Sequence, residues 1–198
     1  MNLMQLLSLA VFAIFVENAV LVRFLGVDTL LGASGKMRTA LSMGLVVTVV
    51  MGLAGLCTWV VNTFLLIHFG LDGFLQTVAF VLIIVALSQC MALCLKKVFP
   101  SLHALLKGHL PLIATNCAIL GFALLGVRKE FSLPETCAYG IFSGLGFALA
   151  LVLFASVQER LELSECPKAF EGFPIALVTA GLLAMIFMGF SGLTLPLG

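Results

Sequence analysis

The stretch ALSMGLVVTVVMGLAGLCTWVVNTFLLI, residues 40–67, contains no charged residue. It is longer than the roughly 20 apolar residues that cross the hydrocarbon core of a bilayer as a helix. Five further segments share this character, and the six together occupy most of the 198 residues. We therefore predict an all-α membrane protein with six transmembrane helices, forming a single transmembrane domain over residues 1–198. The six segments are residues 3–25, 40–67, 74–95, 109–127, 137–157 and 174–196.

The composition supports this class and excludes others. Hydrophobic residues make up 62% of the chain, charged residues only 10%, and the mean hydropathy is +1.25. Soluble domains carry about 25% charged residues. The connections between the segments are too short for a water-soluble nucleotide-binding or hydrolase domain. The net charge of +1 predicts no nucleic-acid partner.

Basic residues predict the orientation. Eight of the ten Lys and Arg residues flank the first, third and fifth predicted loops, and only Arg128 and Lys129 lie on the other side. Under the positive-inside rule, these three loops are cytoplasmic, which with six spans places both termini on the outer face of the membrane. The N-terminus has neither a basic leader nor a cleavage site, so we expect it to be a retained first helix.

An internal repeat relates the two halves. Asp28-Thr-Leu-Leu-Gly32 matches Cys117-Ala-Ile-Leu-Gly121 at an offset of 89 residues. Three spans fall in each half, about residues 1–100 and 101–198, so the two copies must enter the membrane in opposite directions. This predicts an inverted repeat, in which interrupted helices form the sites. We expect the first and fourth helices to be interrupted, at glycines and a proline: Gly26, Gly32 and Gly35, then Gly108 and Pro111.

Polar residues inside the apolar segments are candidate site residues, because an ionisable side chain at membrane depth costs about 2.5–3.5 kcal/mol. Glu17 and Asn18 interrupt the first segment, Asp28 follows it, and Asn116 and Cys117 lie in the fourth. Glu17 and Asn18 are candidates for an ion relay. The favoured alternative is that Glu17 pairs with an Asn or a backbone group. The sequence shows no Ser/His/Asp set, Cys-x-x-Cys or phosphate loop, so we predict no catalytic residues.

Several motifs together resemble a known family. The sequence is similar over essentially its whole length to the A subunit of the Rnf complex, also called the electron transport complex. The E subunit of the Na⁺-translocating NADH:quinone reductase is a close relative with the same pattern. The run Leu151–Ala155 with Glu159-Arg160-Leu161 is more similar to the Rnf subunit. The motifs are Phe15-Val-Glu-Asn18, Leu21-Val-Arg-Phe-Leu-Gly26, Leu110-Pro-Leu-Ile-Ala-Thr-Asn-Cys-Ala-Ile-Leu-Gly121, Tyr139-Gly140 and Ala176-Leu-Val-Thr-Ala-Gly181 with Phe187-Met-Gly-Phe-Ser-Gly192.

The resemblance implies a membrane complex that couples electron transfer between ferredoxin and NAD⁺ to Na⁺ or H⁺ translocation. In it, this subunit pairs with a homologous sister subunit of opposite topology, and half-helices of the two hold an intramembrane iron–sulfur cluster, of the 2Fe–2S type. Other subunits carry flavin and further iron–sulfur centres. The chain would then be a non-autonomous subunit of an ion-translocating oxidoreductase.

The resemblance also implies one cysteine ligand from each half, and here the chain departs from the pattern. Cys117 matches the second cysteine, but Gly26-Val-Asp-Thr29 replaces Gly-Leu-Cys-Pro and places Asp28 at the first ligand position. Three alternatives stay open. Asp28 ligates the metal with Cys117, which we favour; Cys90 or Cys94 replaces it; or the cluster is lost and Asp28 is a structural or ion-relay carboxylate. Asn116 and Thr115 beside Cys117 are the candidates for tuning the cluster through hydrogen bonds.

A second class of function also fits the sequence. A secondary transporter of ions or small solutes would use the inverted repeat and the polar residues Glu17, Asn18 and Asp28 without any iron. The two hypotheses differ in whether the protein holds iron.

Overall fold

The computed structural model describes residues 3–32, 37–66, 74–98, 100–106, 108–163, 172–190 and 192. Within these residues every regular element is helical, which confirms the all-α prediction. We number the helices along the chain; α1 and α3 each end in a π-helical turn, Phe12–Val16 and Asn62–Leu66. The helices are α1 Leu3–Val11, α2 Val27–Gly32, α3 Met37–Val61, α4 Phe74–Val98, α5 Pro100–Leu106, α6 Leu110–Ala114, α7 Cys117–Arg128, α8 Leu133–Glu162 and α9 Phe173–Met188.

Four of the helical stretches are long and apolar enough to cross a membrane. They match the second to fifth predicted segments, and Met4–Val16 and Phe173–Met188 are shorter apolar helices. A 30-residue helix such as α8 is about 45 Å long, which exceeds the hydrocarbon core of about 30 Å. The four stretches are Met37–Phe64, Gln76–Val98, Pro111–Arg128 and Leu133–Glu162.

One face of α3 carries exposed apolar side chains. Leu41, Leu45, Val49 and Leu53 recur every four residues and are exposed. One helical turn separates such residues, so they form a single stripe along the helix. An exposed apolar stripe of this length is stable against lipid tails, which solvate it as well as a protein interior does.

The long helices α3 and α8 cross the middle of the bundle antiparallel, in very close contact. A Cβ atom added at Gly44 would lie 2.6 Å from the Cβ of Ala148, and one added at Gly144 would lie 2.5 Å from the Cα of Thr48. One added at Gly140 would lie 3.0 Å from the carbonyl oxygen of Met51. Small residues allow this approach of two backbones, as is usual for helices in membranes.

Two helices of the bundle are broken, but only the first break includes an expected residue, Gly26. The second break lies beyond the expected Gly108 and Pro111, and the expected Gly35 lies outside the described residues. After Val16 the chain leaves the helical path through residues 17–26, and then α2 begins. Asn18 holds this first break: its Oδ1 accepts hydrogen bonds from the amides of Val20 and Leu21, and its Nδ2 donates to the carbonyl of Gly146 at 2.9 Å.

The second break separates α6 from α7 at Thr115 and Asn116. Asn116 is the N-cap of α7, since its Oδ1 accepts from the amide of Ala118 at 2.9 Å. Each break therefore depends on a buried Asn, the residue type that satisfies free backbone amides at a helix start.

Candidate functional site

The two breaks meet at Gly26 and Cys117. The amide of Gly26 donates a hydrogen bond to the Sγ atom of Cys117, at 2.9 Å. Gly26 has a φ of 78°, a conformation that suits glycine, and a Cβ atom there would lie only 2.7 Å from Asn116 Oδ1. Leu25 packs equally closely on Gly121 of α7. The thiol of the second half is thus fixed against the backbone of the first.

Asp28 and Cys117 occupy similar places in the two halves. Asp28 is the second residue of α2, Cys117 is the first residue of α7, and both side chains are exposed in the isolated chain. The carbonyl of Gly32, at the end of α2, lies 2.9 Å from Nε2 of His109, which precedes α6. The structure therefore brings the Asp28 segment and the Cys117 segment together and leaves both polar side chains facing outward.

The residues beside Cys117 differ in their hydrogen bonding. Thr115 is exposed, and its hydroxyl donates to the carbonyl of Pro111 at 3.1 Å. The Asn116 side chain is buried, and its Nδ2 has no hydrogen-bond partner in the described part of the chain. A buried amide nitrogen without a partner costs about 1–3 kcal/mol, so it marks a position where a further acceptor would stabilise the protein.

The described residues of this chain bring too few donors together for a metal centre of their own. Across residues 3–32, 37–66, 74–98, 100–106, 108–163 and 172–190, no three His, Cys, Asp or Glu side chains come together in a way that could hold a metal ion. Cys90 and Cys94 lie exposed on α4 with free thiols. Cys117 and Asp28 are the two donors that the described residues place at the meeting point of the breaks.

Glu17 forms a second polar centre. Its carboxylate accepts hydrogen bonds from the guanidinium of Arg23, the ammonium group of Lys129 and, at 3.0 Å, the hydroxyl of Tyr139. The Lys129 nitrogen also lies 4.2 Å from the centroid of the Phe12 ring. One carboxylate with only 8% of its side chain exposed thus pairs with two cations, and the three groups together carry a net charge of +1. The expected pairing of Glu17 with an Asn or a backbone group was wrong.

The residues that hold Glu17 were missed from the sequence. Arg23 and Lys129 were treated as loop charges, and Tyr139, the chain's single tyrosine, entered only through a family motif. Because Arg23 and Lys129 bind one carboxylate, they cannot lie on opposite faces of a membrane about 30 Å thick. From the sequence alone, eight basic residues were counted beside the first, third and fifth loops and two on the other side. With Arg23 counted on the side of Lys129, the numbers become seven and three, and the bias keeps its direction.

The fold and this site define a class: a helical, multi-pass membrane protein built around two broken helices whose breaks meet. Comparison with known proteins narrows the class. A sequence profile described as "Rnf-Nqr subunit, membrane protein" matches residues 6–194. The chain belongs to the Rnf-Nqr family.

Individual relatives agree with this assignment. The chain is 52% identical over 192 residues to the A subunit of the Na⁺-translocating ferredoxin:NAD⁺ oxidoreductase complex of Acetobacterium woodii, covering 97% of this chain and 100% of the relative. It is 46% identical to the A subunits of the ion-translocating oxidoreductase complexes of Edwardsiella ictaluri and Yersinia pseudotuberculosis, over 94% and 96% of this chain and 96% and 97% of the relatives. These matches confirm the resemblance that the sequence motifs indicated.

Proposed function

We propose that this chain is the A-type membrane subunit of an ion-translocating electron transport complex linked to ferredoxin and NAD⁺. In it, the chain helps to hold an iron–sulfur cluster at the interface with a homologous sister subunit. The observation that carries the proposal is the hydrogen bond from the Gly26 amide to Cys117 Sγ. It joins the two broken helices at a thiol that is free to bind a metal. The relatives, which bear the names of such complexes, supply the class of reaction.

The residues at the breaks fit a shared cluster. Cys117 offers a soft thiolate and Asp28 a harder carboxylate, and hydrogen bonds such as that from the Gly26 amide to sulfur tune reduction potentials. Asn116 Nδ2, buried without a partner among the described residues, is the donor we assign to a cluster sulfur. When bound, the cluster would supply one-electron transfer at membrane depth. The chain's own residues position it, exclude water and set its electrostatic surroundings.

An inverted repeat requires the matching helices of its two halves to run antiparallel, and the contacts of α3 with α8 meet this requirement. The close contacts run from 44 to 148, from 48 to 144 and from 52 to 140. The two helices begin 96 residues apart, at Met37 and Leu133, against 89 for the Asp28 and Cys117 motifs, so the second half has seven more residues between its motif and its long helix. We therefore propose two inverted halves, residues 1–100 and 101–198, within one domain.

The sister subunit follows from the ligand count. Iron–sulfur clusters of the 2Fe–2S type take four protein ligands. The breaks of this chain expose two donors, Asp28 and Cys117. A homologous chain of opposite topology would present its own two donors toward them. We also propose a bacterial inner-membrane location with both termini outside, on the seven-to-three distribution of basic residues.

The test uses the purified complex that contains this chain. Cys117→Ser should remove the iron signal of the shared cluster and abolish electron transfer, while Cys137→Ser, a matched thiol change in α8, should leave both intact. Asp28→Cys should keep the iron and shift the midpoint potential of the cluster. If the Cys117→Ser complex keeps its cluster spectrum and electron transfer, the proposal is wrong.

The transporter hypothesis predicts the opposite pattern. A carboxylate path without iron would be disabled by Asp28→Asn, and Cys117→Ser would have no effect on ion flux. Measuring iron content, cluster spectrum and ion flux on the same two variants therefore separates the two functions.

A further inference from the structure

A polar cavity of about 370 Å³ lies at the end of the bundle where α3 and α7 finish and α4 and α8 begin. Its walls contain oxygen-bearing side chains in an otherwise apolar protein, and it is separate from the meeting point of Gly26 and Cys117. Cys117 and Gly126 are nine residues apart on α7, so about 14 Å separate them along the helix axis. The polar lining residues are Thr58, Asn62, Thr63, Gln76, Glu130 and Thr136.

Two threonines present acceptors to this cavity. The hydroxyl of Thr58 donates to the carbonyl of Ala54 at 2.6 Å, and the hydroxyl of Thr136 donates to the carbonyl of Ser132 at 3.0 Å. A hydroxyl has one hydrogen and two lone pairs. Because each hydrogen already points to a backbone carbonyl, these two oxygens can only accept from, or coordinate, whatever fills the cavity.

The opposite wall adds amide oxygens and a carboxylate. Gln76 Nε2 donates to Asn62 Oδ1 at 2.7 Å, which directs the two side chains at each other and leaves lone pairs on both oxygens. Glu130 has a φ of 51°, unusual for a residue other than glycine. Strained conformations of this kind cluster at functional sites. Among the described residues that line the cavity, Glu130 is the only charged one, and these residues together carry a charge of −1.

We propose that this cavity binds a partly hydrated monovalent metal cation of the Na⁺ class. One carboxylate with neutral oxygens balances a single positive charge, whereas sites for divalent hard cations usually collect more carboxylates. At about 30 Å³ per water, the volume corresponds to about twelve water molecules, so it has room for a cation and for all the waters that complete its shell beside the protein oxygens. The inference rests on the proposed function for its biological meaning, because an ion-translocating complex needs cation sites away from its redox group.

The test measures equilibrium binding of ²²Na⁺ to the detergent-solubilised complex in choline chloride. Glu130→Gln removes the charge and keeps the shape, so Na⁺ binding should weaken about tenfold, a difference of about 1.4 kcal/mol. Glu159→Gln is the matched control, because Glu159 is an exposed carboxylate near the other end of α8, and its binding should equal that of the wild type.

A second variant tests the cavity without touching its charge. A Cβ atom at Gly126 would meet only the Cγ2 of Thr136, at 3.9 Å, so a larger side chain fits there and enters the cavity. Gly126→Val should weaken Na⁺ binding more than Gly126→Ala. Wild-type Na⁺ affinity in both Glu130→Gln and Gly126→Val would overturn the proposal.

The outcomes also separate this inference from the proposed function. In one outcome, the complex holds no cluster but its Na⁺ binding depends on Glu130. That outcome would contradict the electron-carrying role and support the proposed Na⁺ site in the cavity. In the opposite outcome, the cluster depends on Cys117, but Na⁺ binding is unchanged by substitutions at Glu130 and Gly126. That outcome would support the electron-carrying role and contradict the proposed Na⁺ site in the cavity.

Discussion

Replacing Gly26 by Ala should destabilise the meeting point of the two breaks for two separate reasons. With φ at 78°, an L-residue costs roughly 1–2 kcal/mol. The new Cβ would lie 2.7 Å from Asn116 Oδ1 and would displace the N-cap of α7, a loss of about 1 kcal/mol. Together, a loss of about 2–3 kcal/mol in the free energy of unfolding corresponds to a fall in Tm of about 5–10 °C for a protein of 198 residues, and to a smaller fall in the complex, whose unfolding entropy is larger.

The assay is thermal unfolding of the purified complex followed with a thiol-reactive fluorogenic dye, and two glycines separate the causes. Gly172 has a φ of 84° with nothing within 4 Å of its added Cβ, so Gly172→Ala should show the backbone cost alone. Gly181 lies in helix α9 with equally open space, so Gly181→Ala should not destabilise. If Gly26→Ala lowers the Tm no more than Gly172→Ala, the packing of Gly26 against Asn116 is not important and the reasoning is refuted.

Three further predictions concern the core of the bundle. Gly44→Ala should destabilise the complex through its contact with Ala148, and adding Ala148→Gly should restore part of the Tm, because one of the two clashing Cβ atoms is then gone. Glu17→Gln should lower the free energy of unfolding by about 1–3 kcal/mol, because it leaves two cations without their carboxylate. Glu159→Gln should not change the Tm in the same melting assay, and equal effects of the two substitutions would contradict the pairing. Tyr139→Phe removes one hydrogen bond to Glu17 and should cost about 1 kcal/mol in chemical denaturation, with its aromatic packing retained.

The sequence predicts the helical class and the four long apolar helices well, for simple physical reasons. Uncharged runs of about 20 residues have no stable alternative to a helix in lipid. The polar pair Glu17-Asn18 interrupts the first run, and the structure breaks the chain there. The second break was expected at Gly108 and Pro111, and it lies instead at Thr115 and Asn116, where the Asn116 side chain caps α7. The thiol at Cys117 was likewise evident, because a family motif surrounds it.

Contacts between distant residues were not predictable in the same way. Glu17 binds Lys129 and Tyr139, which are 112 and 122 residues away along the chain, and nothing in the local pattern of charges relates them. The cavity beside Glu130 gathers residues from four helices, and its polar residues are of ordinary types that the local sequence does not relate to one another. Such sites depend on how the helices pack, and periodicity and spacing do not specify that.

The most direct test of the central claim is an electron density map of the whole complex, inspected where Cys117 and Asp28 face the neighbouring subunit. The account predicts strong metal density bonded to Cys117 Sγ and to an Asp28 carboxylate oxygen, with two further ligands from the homologous chain. Protein or lipid density against Cys117, with no metal between the subunits, would contradict it.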